Sequence, residues 1–158
     1  MSTTVTRRDL LCGLAAIGAG ALLGVAHGPQ VTHSNAEWLR ILGPERYNIL
    51  RENGTEPPNS SPLLNEHRPG TYHCAGCNLP VFSSKTKYDA GEGWPSFYRP
   101  LPGAIATRPD YELIEPRTEV HCSRCASHLG HVFTDGPPPT GLRYCIDGLA
   151  LIFVSGPS

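Results

Sequence analysis

The sequence predicts a mainly β fold clamped by a metal, and three observations carry that reading. The 158 residues include 17 glycines and 16 prolines, a density that suits short strands joined by turns better than long helices. From Thr71 onward, short strand-like runs are bounded by turn residues: TYHC, LPVF, AIATRP, YELIEPRTEVHC, GHVFTD and RYCIDGLALIFV. Two C-x-x-C pairs, Cys74/Cys77 and Cys122/Cys125, offer four sulfurs, the complete shell of a tetrahedral structural zinc. The length supports one domain, and a net charge of −1 argues against the broad basic surface that nucleic-acid binding requires.

Residues 1–26 read as a targeting segment. Arg7 and Arg8 precede the uncharged run LLCGLAAIGAGALLGVA, and small Gly24 and Ala26 occupy the positions a signal peptidase reads, so cleavage after Ala26 is expected. The pattern resembles a twin-arginine export signal and predicts a periplasmic or otherwise exported protein with no membrane attachment after cleavage. An uncleaved anchor is the alternative, although 17 uncharged residues with several glycines are marginal for a span. Cys12 leaves with the leader. Loss of Arg7, Arg8 and Asp9 brings the mature net charge to −2, which is ordinary for a soluble monomer.

Residues 27–35 form a short polar linker, and the folded domain is expected over 36–158. Its first elements are two short helical segments from Asn35, split at Gly43 and Pro44, with Asn35 as N-cap, Glu37 in the first turn and Pro44 opening the second segment. The Pro-, Ser- and Asn-rich stretch from Gly54 to Gly70 is expected to be an ordered loop.

Each C-x-x-C follows a strand-like approach ending in histidine, TYHC and EVHC. Two intervening residues let a tight turn aim both sulfurs at one ion, and Gly76 helps the first turn close. The 44 residues between Cys77 and Cys122 place the two knuckles on separate hairpins, so the metal would staple the sheet. In an exported protein the competing arrangements are two disulfides or a dithiol redox centre.

Four committed cysteines leave Cys145 in RYCID unassigned. In an extended backbone Arg143, Cys145 and Asp147 project together while Tyr144 and Ile146 face the other way. Arg143 favours the thiolate and ionised Asp147 opposes it. An inert buried thiol is the alternative. His128 and His131, three apart just after the second knuckle, are candidate proton shuttles, with metal ligation or a polar surface as alternatives. Trp94, in the glycine-rich turn GEGWPSF, can wall a pocket for a sulfur-bearing apolar group.

The ordered set GTEP from Gly54, YHCAGC from Tyr72, KYDAG from Lys87, GWPSF from Gly93, HLGHVF from His128, DGP from Asp135 and RYC from Arg143 resembles the B-type peptide-methionine sulfoxide reductases, from about Trp38 to Phe153. The resemblance implies two antiparallel sheets with a few short peripheral helices and a structural zinc on Cys74, Cys77, Cys122 and Cys125. It implies reduction of methionine-R-sulfoxide in peptides or proteins, with Cys145 as nucleophile, His128 and His131 assisting protonation, and Trp94 packing on the substrate methyl. Cys145 would become a sulfenic acid.

Two departures follow from the same comparison. Many relatives carry a resolving cysteine just before GWPSF, where this chain has Glu92, so the expected reductant is an external thiol such as a thioredoxin-like protein. Asp147 stands where the family usually has Asn, which predicts altered reactivity or pH dependence, because an ionised carboxylate accepts hydrogen bonds and an amide also donates. A non-catalytic zinc-binding β module and a dithiol oxidoreductase using the C-x-x-C pairs directly are the rival functions.

Overall fold

The computed structural model describes residues 29–157. The leader with its Arg7–Arg8 pair and Cys12 lies outside them. Among the described residues no helix is long and apolar enough to cross a membrane. Gln30 and Val31 donate their N–H groups to the Arg124 carbonyl, tying the start of the described chain to the second knuckle.

Helix α1 (Asn35–Glu52) breaks at Gly43, whose φ of 71° and ψ of 167° are non-helical, and restarts at Pro44, as the sequence predicts. The cap differs from expectation by one residue. Ser34, not Asn35, is the N-cap: its Oγ accepts the Glu37 N–H at 3.3 Å while the Glu37 carboxylate accepts the Ser34 N–H at 2.8 Å. Glu37 lies three residues after the cap, and that reciprocal box selects the serine. Trp38, Ile49 and Leu50 are buried on the core side.

The strands are β1 (Gly70–Cys74), β2 (Pro80–Ser83), β3 (Lys87–Tyr88), β4 (Ser96–Phe97), β5 (Ile105–Asp110), β6 (Arg117–Cys122), β7 (His128–Phe133), β8 (Arg143–Ile146) and β9 (Leu151–Ser155). They form two antiparallel sheets, ordered β2-β1-β9 and β3-β4-β8-β7-β6-β5. The mainly β expectation and the two-sheet architecture hold. Aromatic side chains lock the sheets face to face: Phe82 stacks on Phe97 at 4.4 Å, and Tyr72 meets Phe97 edge-on at 5.0 Å.

Two strand-like runs are interrupted. In YELIEPRTEVHC pairing on β6 starts only at Arg117, because the Asp110 carboxylate captures the Glu112 N–H at 2.9 Å to make a turn and Pro116 has no N–H to give. In RYCIDGLALIFV the chain changes sheets between β8 and β9 through one helical turn, Gly148–Ala150. A Cβ at Gly148 would lie 1.9 Å from Ser61 Oγ, so only glycine lets the 54–70 loop press onto this turn. That loop is irregular apart from one helical turn, Pro62–Asn65.

Candidate functional site: a buried thiol pocket and a four-cysteine metal centre

The metal centre joins the sheets. Cys74 ends β1 and Cys77 lies in the turn to β2 of one sheet; Cys122 ends β6 and Cys125 lies in the turn to β7 of the other. Each knuckle closes through a left-handed residue just past its second cysteine, Asn78 at φ 58° and Ala126 at φ 55°, with Asn78 N–H donating to the Cys74 carbonyl and Ala126 N–H to that of Cys122. Gly76 serves contact between knuckles: a Cβ there would sit 2.8 Å from Ser127 Oγ and 3.3 Å from Cys125 Sγ.

The four sulfurs lie within 4.8 Å of one another, with Cys74–Cys125 at 3.7 Å and Cys77–Cys122 at 3.5 Å. Bonds of about 2.3 Å in a tetrahedron place sulfurs about 3.8 Å apart, so the set fits a four-thiolate metal site. All five described cysteines are free, and no sulfur pair is near disulfide length. The two-disulfide arrangement is thereby not adopted.

The second site grows from the register of four strands. His131 on β7 faces Cys145 on β8 and Glu119 on β6; Glu119 in turn faces Arg108 on β5. These side chains share one face of the sheet. Three residues apart on a regular strand, His128 and His131 would point to opposite faces. Gly130, at φ 146°, and the register shift at Val120/His121 bring their rings to 5.3 Å. A Cβ on Gly130 would meet the Cys145 carbonyl oxygen at 2.1 Å, so this residue also sets the spacing of the nucleophile strand.

Cys145, Asp147, His131, Trp94, Thr55 and Arg117 are among the residues lining a cavity of about 130 Å³, room for the end of one side chain. As expected, Tyr144 and Ile146 are buried on the opposite face of β8. His128 is placed differently: it is 2% exposed and borders a neighbouring cavity of about 200 Å³ rather than the thiol pocket, and its Nε2 has no hydrogen-bond partner. That Nε2 lies 3.9 Å from Asp147 Oδ2.

Each histidine carries a carboxylate behind it. His128 Nδ1 is 3.0 Å from Glu119 Oε1, and His131 Nε2 is 2.7 Å from Asp110 Oδ2. Arginines back the acids: Arg108 pairs with Glu119, and Arg117 with Asp110 at 2.7 Å. Burial pushes the Glu119 carboxyl up, but the hydrogen bonds from His128 and Arg108 outweigh it and hold the group at about 2. His131 is pushed down by burial, against the pull of Asp110.

Glu56 is the hub of the pocket rim. Its carboxylate accepts the N–H groups of Gly148 at 2.5 Å and Leu149 at 3.1 Å, its N–H donates to Asp147 Oδ1 at 2.9 Å, and its carbonyl accepts Trp94 Nε1–H at 3.1 Å. Burial pushes Cys145 up to about 11; Arg143 opposes this while Asp147 and Glu92 add to it. Burial likewise raises Asp147 to about 6, against the Glu56 N–H and His128. Sequence reading missed Glu56, Asp110, Arg117 and Glu119. Only the alternation of Arg117 and Glu119 in RTEVHC marks those two as sharing a face; the pairing of Glu119 with His128 and of Asp110 with His131 depends on cross-strand register.

The SelR domain model matches residues 42–155. The chain is 52% identical over 126 residues to the peptide methionine sulfoxide reductase MsrB of Agrobacterium fabrum, spanning 79% of this chain and 93% of that protein. It is 53% identical over 121 residues to the MsrB of Thiobacillus denitrificans (76% and 92%) and 49% identical over 125 residues to that of Leptospira interrogans (78% and 95%). A matching domain across most of the chain, together with a thiol in a pocket lined by His131 and a separate four-cysteine centre, establishes that the chain belongs to the SelR-domain family of peptide methionine sulfoxide reductases, MsrB.

Proposed function

We propose that this protein reduces the R epimer of methionine sulfoxide in oxidised proteins with Cys145 as the nucleophile. The single supporting observation is the pocket itself: one thiol with no committed partner, beside His131, Asp147 and Trp94, in a space that takes only the end of a side chain. The Cys145 sulfur bonds to the sulfoxide sulfur, the sulfoxide oxygen takes a proton, and the resulting hydroxyl moves to Cys145 as the sulfur–sulfur bond breaks. Methionine leaves with the electron pair, and Cys145 is a sulfenic acid.

In this reading His128 and His131 govern proton supply, and Trp94, fixed by its hydrogen bond to the Glu56 carbonyl, packs against the substrate methyl. The four-cysteine centre holds zinc, which supplies no redox chemistry and keeps its thiolates out of exchange. An external thiol, thioredoxin-like or small, reduces the sulfenic acid, because the other four described cysteines are gathered in the metal centre and Glu92 stands before GWPSF. The Arg7–Arg8 leader supports delivery of the folded protein to the cell envelope; replacing both arginines by lysine is expected to retain the protein in the cytoplasm on fractionation, and unchanged export would refute this route.

The test of the reaction is an assay on each sulfoxide epimer of a methionyl peptide with dithiol reductant. Turnover of the R form alone is expected; equal turnover of both would sink the reading.

Asp147 gives this chain its own pH behaviour. A carboxyl at about 6 is a proton donor below that pH and only an acceptor above it, so activity should fall as pH rises through neutrality. Its negative charge also raises the Cys145 thiol. Asp147→Asn removes both effects: the alkaline fall should flatten, and alkylation of Cys145 should proceed at lower pH and several-fold faster near pH 8. An unchanged rate profile and alkylation midpoint would show that Asp147 tunes neither group.

A further inference from the structure

The thiol pocket and the histidine behind it do not touch. His131 lines the cavity with Cys145, whereas His128 sits outside it with an unpartnered Nε2 buried 3.9 Å from Asp147 Oδ2. Asp147 lines the cavity and offers its other oxygen, Oδ1, to the Glu56 N–H, which leaves Oδ2 toward the histidine. On the far side of the ring, Nδ1 is held 3.0 Å from Glu119, itself 4% exposed and clamped by Arg108.

We propose that Glu119 is a positioning residue of the reduction: by accepting the Nδ1–H of His128 it directs Nε2 at Asp147, and the proton reaches the sulfoxide oxygen from the Asp147 carboxyl rather than from the ring. This rests on the reading of Cys145 and His128 given above.

The carboxylate fixes the tautomer. With Nδ1–H committed to Glu119, the proton that comes and goes on His128 is the one on Nε2. As the Cys145 sulfur bonds to the sulfoxide sulfur, Asp147 gives its O–H proton to the oxygen, and a proton taken up from solvent and passed through His128 Nε2 then restores Asp147. The gap of 3.9 Å exceeds a hydrogen bond by about 1 Å, a distance such contacts commonly close when substrate fills the site. Facing the ring are Glu119 and His121 on β6, Arg108 behind Glu119, His131 on its own strand, and Asp147; facing Asp147 are also Glu56 and Cys145.

The test combines Glu119→Gln, Asp147→Asn and the double variant. Glu119→Gln should lower kcat about 100-fold, the low end of what a positioned proton-transfer group contributes, with KM within about twofold. The ring 15N resonances of His128 should lose the Nδ1-protonated signature. In the Asp147→Asn background the same change should cost less than about tenfold, since the relay it serves is gone. An unchanged tautomer signature, or equal losses in both backgrounds, would overturn the proposal. Should Glu119→Gln fail to fold, Arg108→Gln, at a mostly exposed side chain, loosens the same carboxylate and should lower kcat by a smaller factor; no change there would count against the role. If instead His128→Asn leaves kcat unaltered, the assignment of His128 fails while that of Cys145 stands.

Discussion

Cys145→Ser is expected to abolish sulfoxide reduction while leaving the fold intact. The position is half-buried among groups that accept an oxygen atom in place of sulfur without steric conflict, so the thermal transition should move little. The rate should fall by more than about 10³-fold, or about 4 kcal/mol of barrier, because a serine hydroxyl cannot form the sulfur–sulfur bond or stand as a sulfenic acid; loss of a nucleophile in other covalent enzymes costs up to about 10⁶-fold. Retention of a tenth or more of the wild-type rate would mean that another group attacks the sulfoxide. It would also revive the dithiol alternative, in which a knuckle cysteine reacts. The sulfur separations argue against that, since all four belong to one cluster.

Removal of the metal should have the second large effect, on stability. The two knuckles belong to different sheets, and a metal held by all four sulfurs would join them. Structural zinc contributes about 10 kcal/mol or more in small zinc domains, against a total stability of about 5–15 kcal/mol for a folded domain. Stripping it with a strong chelator under reducing conditions, or introducing Cys122→Ser, should therefore remove the cooperative thermal transition. The Arg51 guanidinium, which donates to the Cys125 carbonyl at 3.1 Å and stacks over Trp38, ties α1 to the same knuckle and should be released with it. Because thiolates must be deprotonated to hold the ion, metal loss and unfolding should set in together as pH falls. A metal-free protein with an unaltered melting temperature would show that packing alone, through Phe82, Phe97 and Tyr72, holds the sheets.

Much of this architecture was written in local patterns. The paired C-x-x-C units on separate hairpins, the helix break at Gly43 and Pro44, and the alternation that buries Tyr144 and Ile146 while turning Cys145 toward the pocket depend on residues close in sequence, and these the chain announces. Features that depend on register are silent. Glu119 meets His128, and Asp110 meets His131, only because β5, β6 and β7 pair as they do and Gly130 disturbs the strand. The sheet change after Asp147 was equally hidden, because RYCIDGLALIFV has continuous strand character and the agent that bends it, the Glu56 carboxylate, lies some ninety residues away. The same distance explains why the 54–70 stretch, expected only to be an ordered loop, proved to hold Trp94 and Asp147 through the Glu56 backbone.

The measurement closest to the central claim is the mass of the Cys145 peptide from acid-quenched protein after a single turnover with an 18O-labelled methionyl sulfoxide and no reductant. One labelled oxygen on the Cys145 peptide, one methionine formed per chain and the four knuckle cysteines unmodified is the predicted result. Label on a knuckle cysteine, or methionine formed while Cys145 remains an unmodified thiol, would contradict it.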